Sequence, residues 1–229
     1  MKKIISNDVK NYYEEIPELL KTKKHNPAFK KTQLDVPFRI ILIGPSGAGK
    51  TNLIVDLIKK TNGTFQEIII ICKNKTQPLY EFLENKNPEI QFYEISNGNE
   101  IPKLDDFEKD TQKLVIFDDL ISLKDQSTIL DYFIRGRHNN CSCCYLTQSY
   151  YSNNKDFKRI RLQATNIFIL KVSNTKDLTL ILNEISLGID KNKLLQYYRF
   201  STQKKMDFLN IDVLNNEIKH NYLQLLHKF

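Results

Sequence analysis

The chain of 229 residues has no uninterrupted apolar stretch long enough to cross a bilayer. Its opening, Met1-Lys2-Lys3-Ile4-Ile5, is basic but lacks the apolar region of a secretory leader. Both absences point to a soluble protein that stays inside the cell. Internal repeats and low-complexity tracts are also absent, which excludes a solenoid or a fibrous chain. Cysteine is scarce, four in all, and three fall in Cys141-Ser142-Cys143-Cys144. With His138 nearby these suggest a metal cluster, but the paired spacing of a zinc site is missing. Alternation along a strand suits small buried core residues better, and no disulfide framework is indicated. Glycine is also scarce, 7 in the chain, yet Gly44, Gly47 and Gly49 lie almost together.

Those glycines belong to Gly44-Pro45-Ser46-Gly47-Ala48-Gly49-Lys50-Thr51, a complete phosphate-binding loop of the form G-x-x-x-x-G-K-[ST]. An apolar strand, residues 38–43, runs into it. A helix leaves it over residues 51–60, with Leu53, Ile54, Leu57 and Ile58 on one face. Glycine lets the backbone bring its N–H groups close to an anion, and the helix N-terminus adds to the cradle. Lys50 then supplies a mobile charge for the β- and γ-phosphates, and Thr51 a hydroxyl for Mg²⁺. The implied ligand is a nucleoside triphosphate with Mg²⁺.

The length suits one α/β domain with a substantial core. Residues 1–36 read as a polar, basic arm carrying Lys21, Lys23, Lys24, Lys30 and Lys31, and Tyr12, Tyr13, Ile16, Leu19 and Leu20 fit one face of a short helix. This arm meets DNA, another subunit or only solvent. From Pro37 to residue 172, strand and helix patterns alternate. Strands are predicted at 67–72, at 90–94 near a sheet edge, at 114–117, 142–146 and 166–170, with helices from 78 and over 125–135. Continuous β-branched runs between helices predict a mainly parallel sheet covered on both faces, the fold class of an α/β P-loop NTPase of the ASCE or RecA-like kind. Residues 173–229 favour helices, with one extra strand at Met206-Asp207-Phe208-Leu209, and complete the same domain.

Leu114-Val115-Ile116-Phe117-Asp118-Asp119 places two acids after a buried strand, at the carboxyl edge where the phosphate loop also lies. Asp118 is the expected Mg²⁺ ligand and Asp119 the group that polarises the attacking water. A second acid beside the metal ligand favours hydrolysis over transfer to a small acceptor. Strand 142–146 ends in Thr147-Gln148. If it neighbours the Asp118 strand, Gln148 reaches the γ-phosphate or the water; otherwise it caps the strand. Between these segments, Arg135 and Arg137 flank Gly136 at a helix end. They either complement the helix C-terminus or supply an arginine finger to a neighbouring subunit's site, with Arg137 preferred over Arg135 and with Arg159 and Arg161 as rivals. The balance of 34 Lys+Arg against 27 Asp+Glu, net +7, suits a polyanionic partner such as nucleic acid, or simple solubilisation.

Together these blocks resemble the viral DNA-packaging ATPases of the FtsK–HerA type found in poxviruses, other large DNA viruses and virophages. The discriminating block is Arg135-Gly136-Arg137-His138-Asn139-Asn140 followed by Tyr145-Leu146-Thr147-Gln148-Ser149-Tyr150-Tyr151, and Ile160-Arg161-Leu162-Gln163-Ala164-Thr165-Asn166 is similar to a further segment of the family. The resemblance spans about residues 37–172. It implies an ATP-driven motor that moves double-stranded DNA into a preformed capsid or through its portal vertex, working as a homo-oligomeric ring with each site at a subunit boundary. By position it implies that Lys50 and Thr51 bind nucleotide and Mg²⁺, that Asp118 binds Mg²⁺, that Asp119 activates water and that Gln148 senses phosphate. Many relatives have Glu where Asp119 stands. The implied location is the host cytoplasm or viral assembly site, or the virion. DNA contacts are expected among the arm lysines, Lys155, Lys158 and Arg159. The competing readings are an ATP-dependent switch without translocation and a nucleotide kinase.

Overall fold

The structure is a computed structural model and describes residues 10–16, 25–172, 175–184 and 189–228. Of the expected arm, Lys21, Lys23, Lys24, Leu19 and Leu20 lie outside the described residues, as does the Tyr13 side chain. Tyr12–Glu14 forms a 3-10 turn, and Phe29–Thr32 a short helix, α1, with Lys30 and Lys31 exposed.

The apolar runs form strands, and all but the edge strand bury residues on both faces. β1 is Arg39–Ile43, β2 Glu67–Cys72, β3 Gln91–Glu94, β4 Lys113–Asp118, β5 Cys141–Thr147 and β6 Asn166–Ile169. They pair in parallel in the order β3-β2-β4-β5-β1-β6, so β3 is the edge that its weaker apolar pattern predicted. Side chains alternate between two cores. Ile40, Leu42, Ile70, Leu114, Ile116, Cys144 and Leu146 face one core, closed by Lys50–Lys60 (α2) and Pro78–Lys86 (α3). Ile41, Ile43, Ile71, Val115, Phe117 and Tyr145 face the other, closed by Ser127–Arg135 (α4), Lys155–Leu162 (α5), Thr175–Glu184 (α6) and Lys191–Ser201 (α7). Cys141 and Cys143 take core positions on β5, their sulfurs 3.8 Å apart.

The C-terminal part departs from expectation. Helices α6 and α7 are followed by three antiparallel strands, β7 (Leu209–Asp212), β8 (Glu217–His220) and β9 (Gln224–Lys228), which extend the sheet beyond β6 to nine strands. The extra strand predicted at 206–209 begins only at Leu209, and Met206 sits in the turn before it. These strands were hard to read because their buried positions include Asn210, Asp212 and Lys219. Each is satisfied internally: Asn166 Nδ2 donates to Asn210 Oδ1 at 3.3 Å, and the Lys219 ammonium lies 3.1 Å from Asp212 and 2.9 Å from Glu217. Buried polar groups persist only when partnered in this way.

Candidate active site

The phosphate loop joins β1 to α2 at the carboxyl edge of the sheet. Gly47 and Gly49 have φ of +74° and +101°, values that a side chain disfavours. Gly49 precedes the first turn of α2, whose leading N–H groups have no intrahelical acceptor and present partial positive charge. The Lys50 ammonium folds back onto the loop and donates to the carbonyls of Gly44 at 2.8 Å and Pro45 at 3.2 Å. Burial pushes its pKa down, and the carboxylates of Asp118 and Asp119 oppose that shift.

Sheet order completes the site. β5 lies between β1 and β4, so Gln148 emerges between the loop and the two acids. Its side-chain amide donates to both Asp119 oxygens, at 3.2 and 3.1 Å. Asp119 holds a φ of +55°, a conformation that Asp tolerates better than most residues, and this turns its carboxylate toward Gln148. Asp118 is the last residue of β4 and is buried. Burial raises its pKa; hydrogen bonds from Tyr80 and Gln77 oppose this. The Tyr80 phenol, 1% exposed, donates to Asp118 Oδ2 at 2.6 Å. Lys50, Thr51, Asp118, Asp119 and Gln148 therefore line one cleft of about 500 Å³, within the range of small-ligand sites. Ser46, Gly47 and Gly49 line it too. Gly44, Pro45 and Ala48 shape the loop, with the Ala48 N–H bonded to the Pro45 carbonyl at 3.1 Å.

The arginines are elsewhere. Arg137 lies in the 3-10 turn Gly136–Asn139 just before β5, at the sheet edge opposite the loop, roughly 20 Å from it along the seven residues of the strand. Its Nε is 3.0 Å from His138 Nε2. Arg135 is committed to two carboxylates, Asp105 at 2.7 Å and Asp131 at 2.8 Å. Arg161 is buried, stacks 4.3 Å from the Tyr150 ring centroid, bonds the Tyr150 carbonyl and lies 3.3 Å from Glu184. Arg159 is exposed, 3.9 Å from Asp156. Among the described residues no group of His, Cys, Asp and Glu forms a metal-binding cluster.

Comparison with known families was decisive. Residues 26–221 match the family model described as Poxvirus A32 protein, most of the chain. The chain belongs to the poxvirus A32 family. This bears out the resemblance to viral DNA-packaging ATPases of the FtsK–HerA type, and with it an ATP-hydrolysing enzyme. No curated protein sequence matches significantly. Among solved structures, this A32-family chain is similar to the genome packaging NTPase B204 of Sulfolobus turreted icosahedral virus 2. With ATP-gammaS bound, B204 gives a TM-score of 0.58 at 18% identity, over 84% of this chain and 100% of that one. With AMPPCP the values are 0.60 and 16%, over 84% and 100%. The cytoplasmic domain of the Type VII secretion ATPase EccC of Thermomonospora curvata gives 0.54 at 10% identity, over 82% of this chain and 25% of that one. At these identities the likeness is one of fold, and it agrees with the P-loop NTPase class read from the strand and helix pattern.

Several site residues of the A32-family chain were not found from sequence: Gln77, which lines the cleft, and Tyr80, which holds Asp118 from beneath it, both at the start of α3, and Lys205 and Met206, which line the cleft from the turn before β7. Tyr80 carried a weak signal, a tyrosine on the inward face of a predicted helix. Lys205 and Met206 carried none: the strand expected over 206–209 begins only at Leu209, and both residues lie in a turn that no motif marks.

Proposed function

We propose that this chain is an ATP-driven motor that packages double-stranded viral DNA into a preformed capsid. The observation that supports it best is the position of β5 between β1 and β4, which brings Gln148 to the carboxylate of Asp119 beside the phosphate loop. In this reading the loop backbone from Gly44 to Gly49 holds the β- and γ-phosphates, and Lys50 moves from its own carbonyls onto them. Asp119 accepts the proton of the water that attacks the γ-phosphorus. Gln148 has two amide N–H donors; one faces Asp119 and the other is free to meet the γ-phosphate, so the hold on its side chain depends on whether that phosphate is present.

Thr51 and Asp118 offer hard oxygen donors, a set that fits Mg²⁺, and Tyr80 donates to one of them, Asp118. When bound, that ion supplies charge neutralisation for the transferring phosphate. Tyr80 and Gln77 hold the Asp118 carboxylate in place, and Lys50 adds charge beside it.

The proposal extends to a homo-oligomeric ring in which Arg137 is the finger. Arg137 is too far from its own loop to act there, and Arg135 and Arg161 already have carboxylate partners. Lys30, Lys31, Lys155, Lys158 and Arg159 are proposed to hold DNA phosphates through salt-sensitive contacts. A capsid or portal vertex is the proposed partner, and the host cytoplasm or assembly site the proposed location; no helix among the described residues is long and apolar enough to cross a membrane. Residues 1–36 are proposed as an arm, 37–172 as the core and 173–229 as its completion, supported by the pairing of β7 with β6.

The test is the ATPase rate with and without duplex DNA, alongside the oligomer mass with ATP. Stimulation by duplex, abolished in Lys50→Ala, is expected. ATP binding without DNA-stimulated hydrolysis would favour a switch, and phosphate transfer to a nucleotide acceptor would favour a kinase.

A further inference from the structure

Met206 is a large apolar side chain left 39% exposed, on a residue with φ of +73°, in the left-handed region that a side chain disfavours. It lies hard against the phosphate loop: a Cβ at Gly49 would fall 2.9 Å from Met206 Cγ. It lines the main cleft and also a smaller cavity of about 250 Å³, which the two share through Met206 and Asn52. Leu53, Asp56, Lys60 and Tyr222 are among the other residues of the smaller cavity's wall.

Topology says which end of a nucleotide reaches it. β4 and β5, which deliver Asp118, Asp119 and Gln148, lie on one side of β1; β6 and β7 lie on the other. β7 runs antiparallel to β6 with Leu209 opposite Ile169, so the turn carrying Lys205 and Met206 arrives at the loop edge on that other side. A triphosphate with its β-phosphate in the loop and its γ-phosphate toward Asp119 and Gln148 must therefore send its nucleoside toward Met206.

We propose that Met206 is the nucleoside-binding wall of the cleft, its thioether side chain packing against the base and ribose of ATP at the opening shared with Asn52. This rests on the phosphate-loop reading above. A flexible, polarisable thioether suits the face of an aromatic base. The left-handed backbone at Met206 is a sparsely populated conformation of the kind that clusters at ligand sites.

The experiment is calorimetric titration of the full chain with Mg–ATP and with Mg–tripolyphosphate, which carries the phosphates without a nucleoside. Met206→Gly suits the left-handed φ, so the variant is expected to fold at least as well as the parent. It should bind ATP about tenfold more weakly, with tripolyphosphate affinity kept within about twofold. Met206→Leu, which keeps an apolar wall, should stay within about threefold for ATP. Unchanged ATP affinity in Met206→Gly, or equal loss of both ligands, would overturn the proposal. Lys50→Ala reports on the loop separately: it should lose both ligands, and if it loses neither, the phosphate-loop reading fails and takes this one with it.

Discussion

Replacing Tyr80 by Phe removes one hydroxyl and leaves the ring in its buried slot, tilted 5.6 Å from Phe92. The hydroxyl donates to a carboxylate that is itself buried, at 2.6 Å. Hydrogen bonds to charged groups contribute about 1.5–3 kcal/mol, and Asp118 has few other donors once water is excluded. A loss of about 2 kcal/mol lowers the thermal midpoint of a chain this size by roughly 4–8 °C. The bond stabilises the ionised form of Asp118, so its contribution is present where Asp118 is ionised and is lost as pH falls through the folded-state pKa of that group, which burial places above its ordinary value of 3.8. The difference between Tyr80→Phe and the parent should therefore shrink in acid. A purely structural role would not move a second reading, the Mg²⁺ concentration needed for ATP binding. Loss of a group that orients a metal ligand raises it by roughly 10–100-fold. Paired unfolding curves from acid to neutral pH, with Mg²⁺ titrations of ATP binding, give both answers. A variant within about 0.5 kcal/mol of the parent at neutral pH, with unchanged Mg²⁺ dependence, would refute the reasoning.

Asp119→Asn should bind ATP like the parent but hydrolyse it roughly 10²–10⁴-fold more slowly, measured by single-turnover phosphate release; rapid turnover would remove Asp119 from its proposed role. Arg137→Ala should lose on the order of 10³–10⁵ in rate, and mixing it with Lys50→Ala should restore part of the activity if the arginine acts between subunits; a mixture as inactive as its components would count against that. Lys219→Met should cost about 3 kcal/mol in chemical unfolding, since it strands the buried Asp212 carboxylate. The same cluster has a pH signature: hydrogen bonds from Lys219 and Lys228 hold Glu217 below its ordinary 4.5, so its contribution is present above that value and falls away as pH drops through the lower folded-state pKa.

Strands β1, β2, β4 and β5 were legible because each is a run of apolar residues that a two-faced parallel sheet requires. β2 was placed residue for residue at Glu67–Cys72. β7 was expected only as a strand over 206–209 and β8 not at all, because their buried polar residues look like loop until their partners are known, and those partners lie across the sheet in Asn166 and within the hairpin itself. The candidate site divides the same way. Lys50, Thr51, Asp118 and Asp119 belong to contiguous motifs whose spacing carries their chemistry. Gln148 was legible only on the condition that its strand neighbours β4, which the register of Phe117 with Tyr145 and Asp118 with Leu146 meets. Tyr80 reaches Asp118 from α3 and Met206 enters the cleft from the pre-β7 turn, and no local pattern ties either to a phosphate loop far along the chain.

The position of β5 also constrains how phosphate sensing at Gln148 would be passed on. All seven of its residues are buried, and it is hydrogen-bonded in parallel to β1 on one side and β4 on the other. Slipping it by one residue would turn Cys143 and Tyr145 out of one core and Cys144 and Leu146 out of the other, so the strand does not move along its axis. Gln148 follows its C-terminal end, and the proposed finger Arg137 precedes its N-terminal end. A change at Gln148 therefore reaches Arg137 only if the domain turns as a body, or it leaves through the loop that follows. That loop leads from Gln148 to Tyr150, whose ring and carbonyl hold Arg161, and on to Asn154, whose side chain caps α5 next to Lys155 and Lys158. Of the proposed DNA-contacting residues, Lys155 and Lys158 thus follow the sensor along the chain, while the proposed finger precedes the strand that carries it. In such a ring the local loop carries the signal toward DNA, and rigid-body rotation carries it toward the neighbouring subunit.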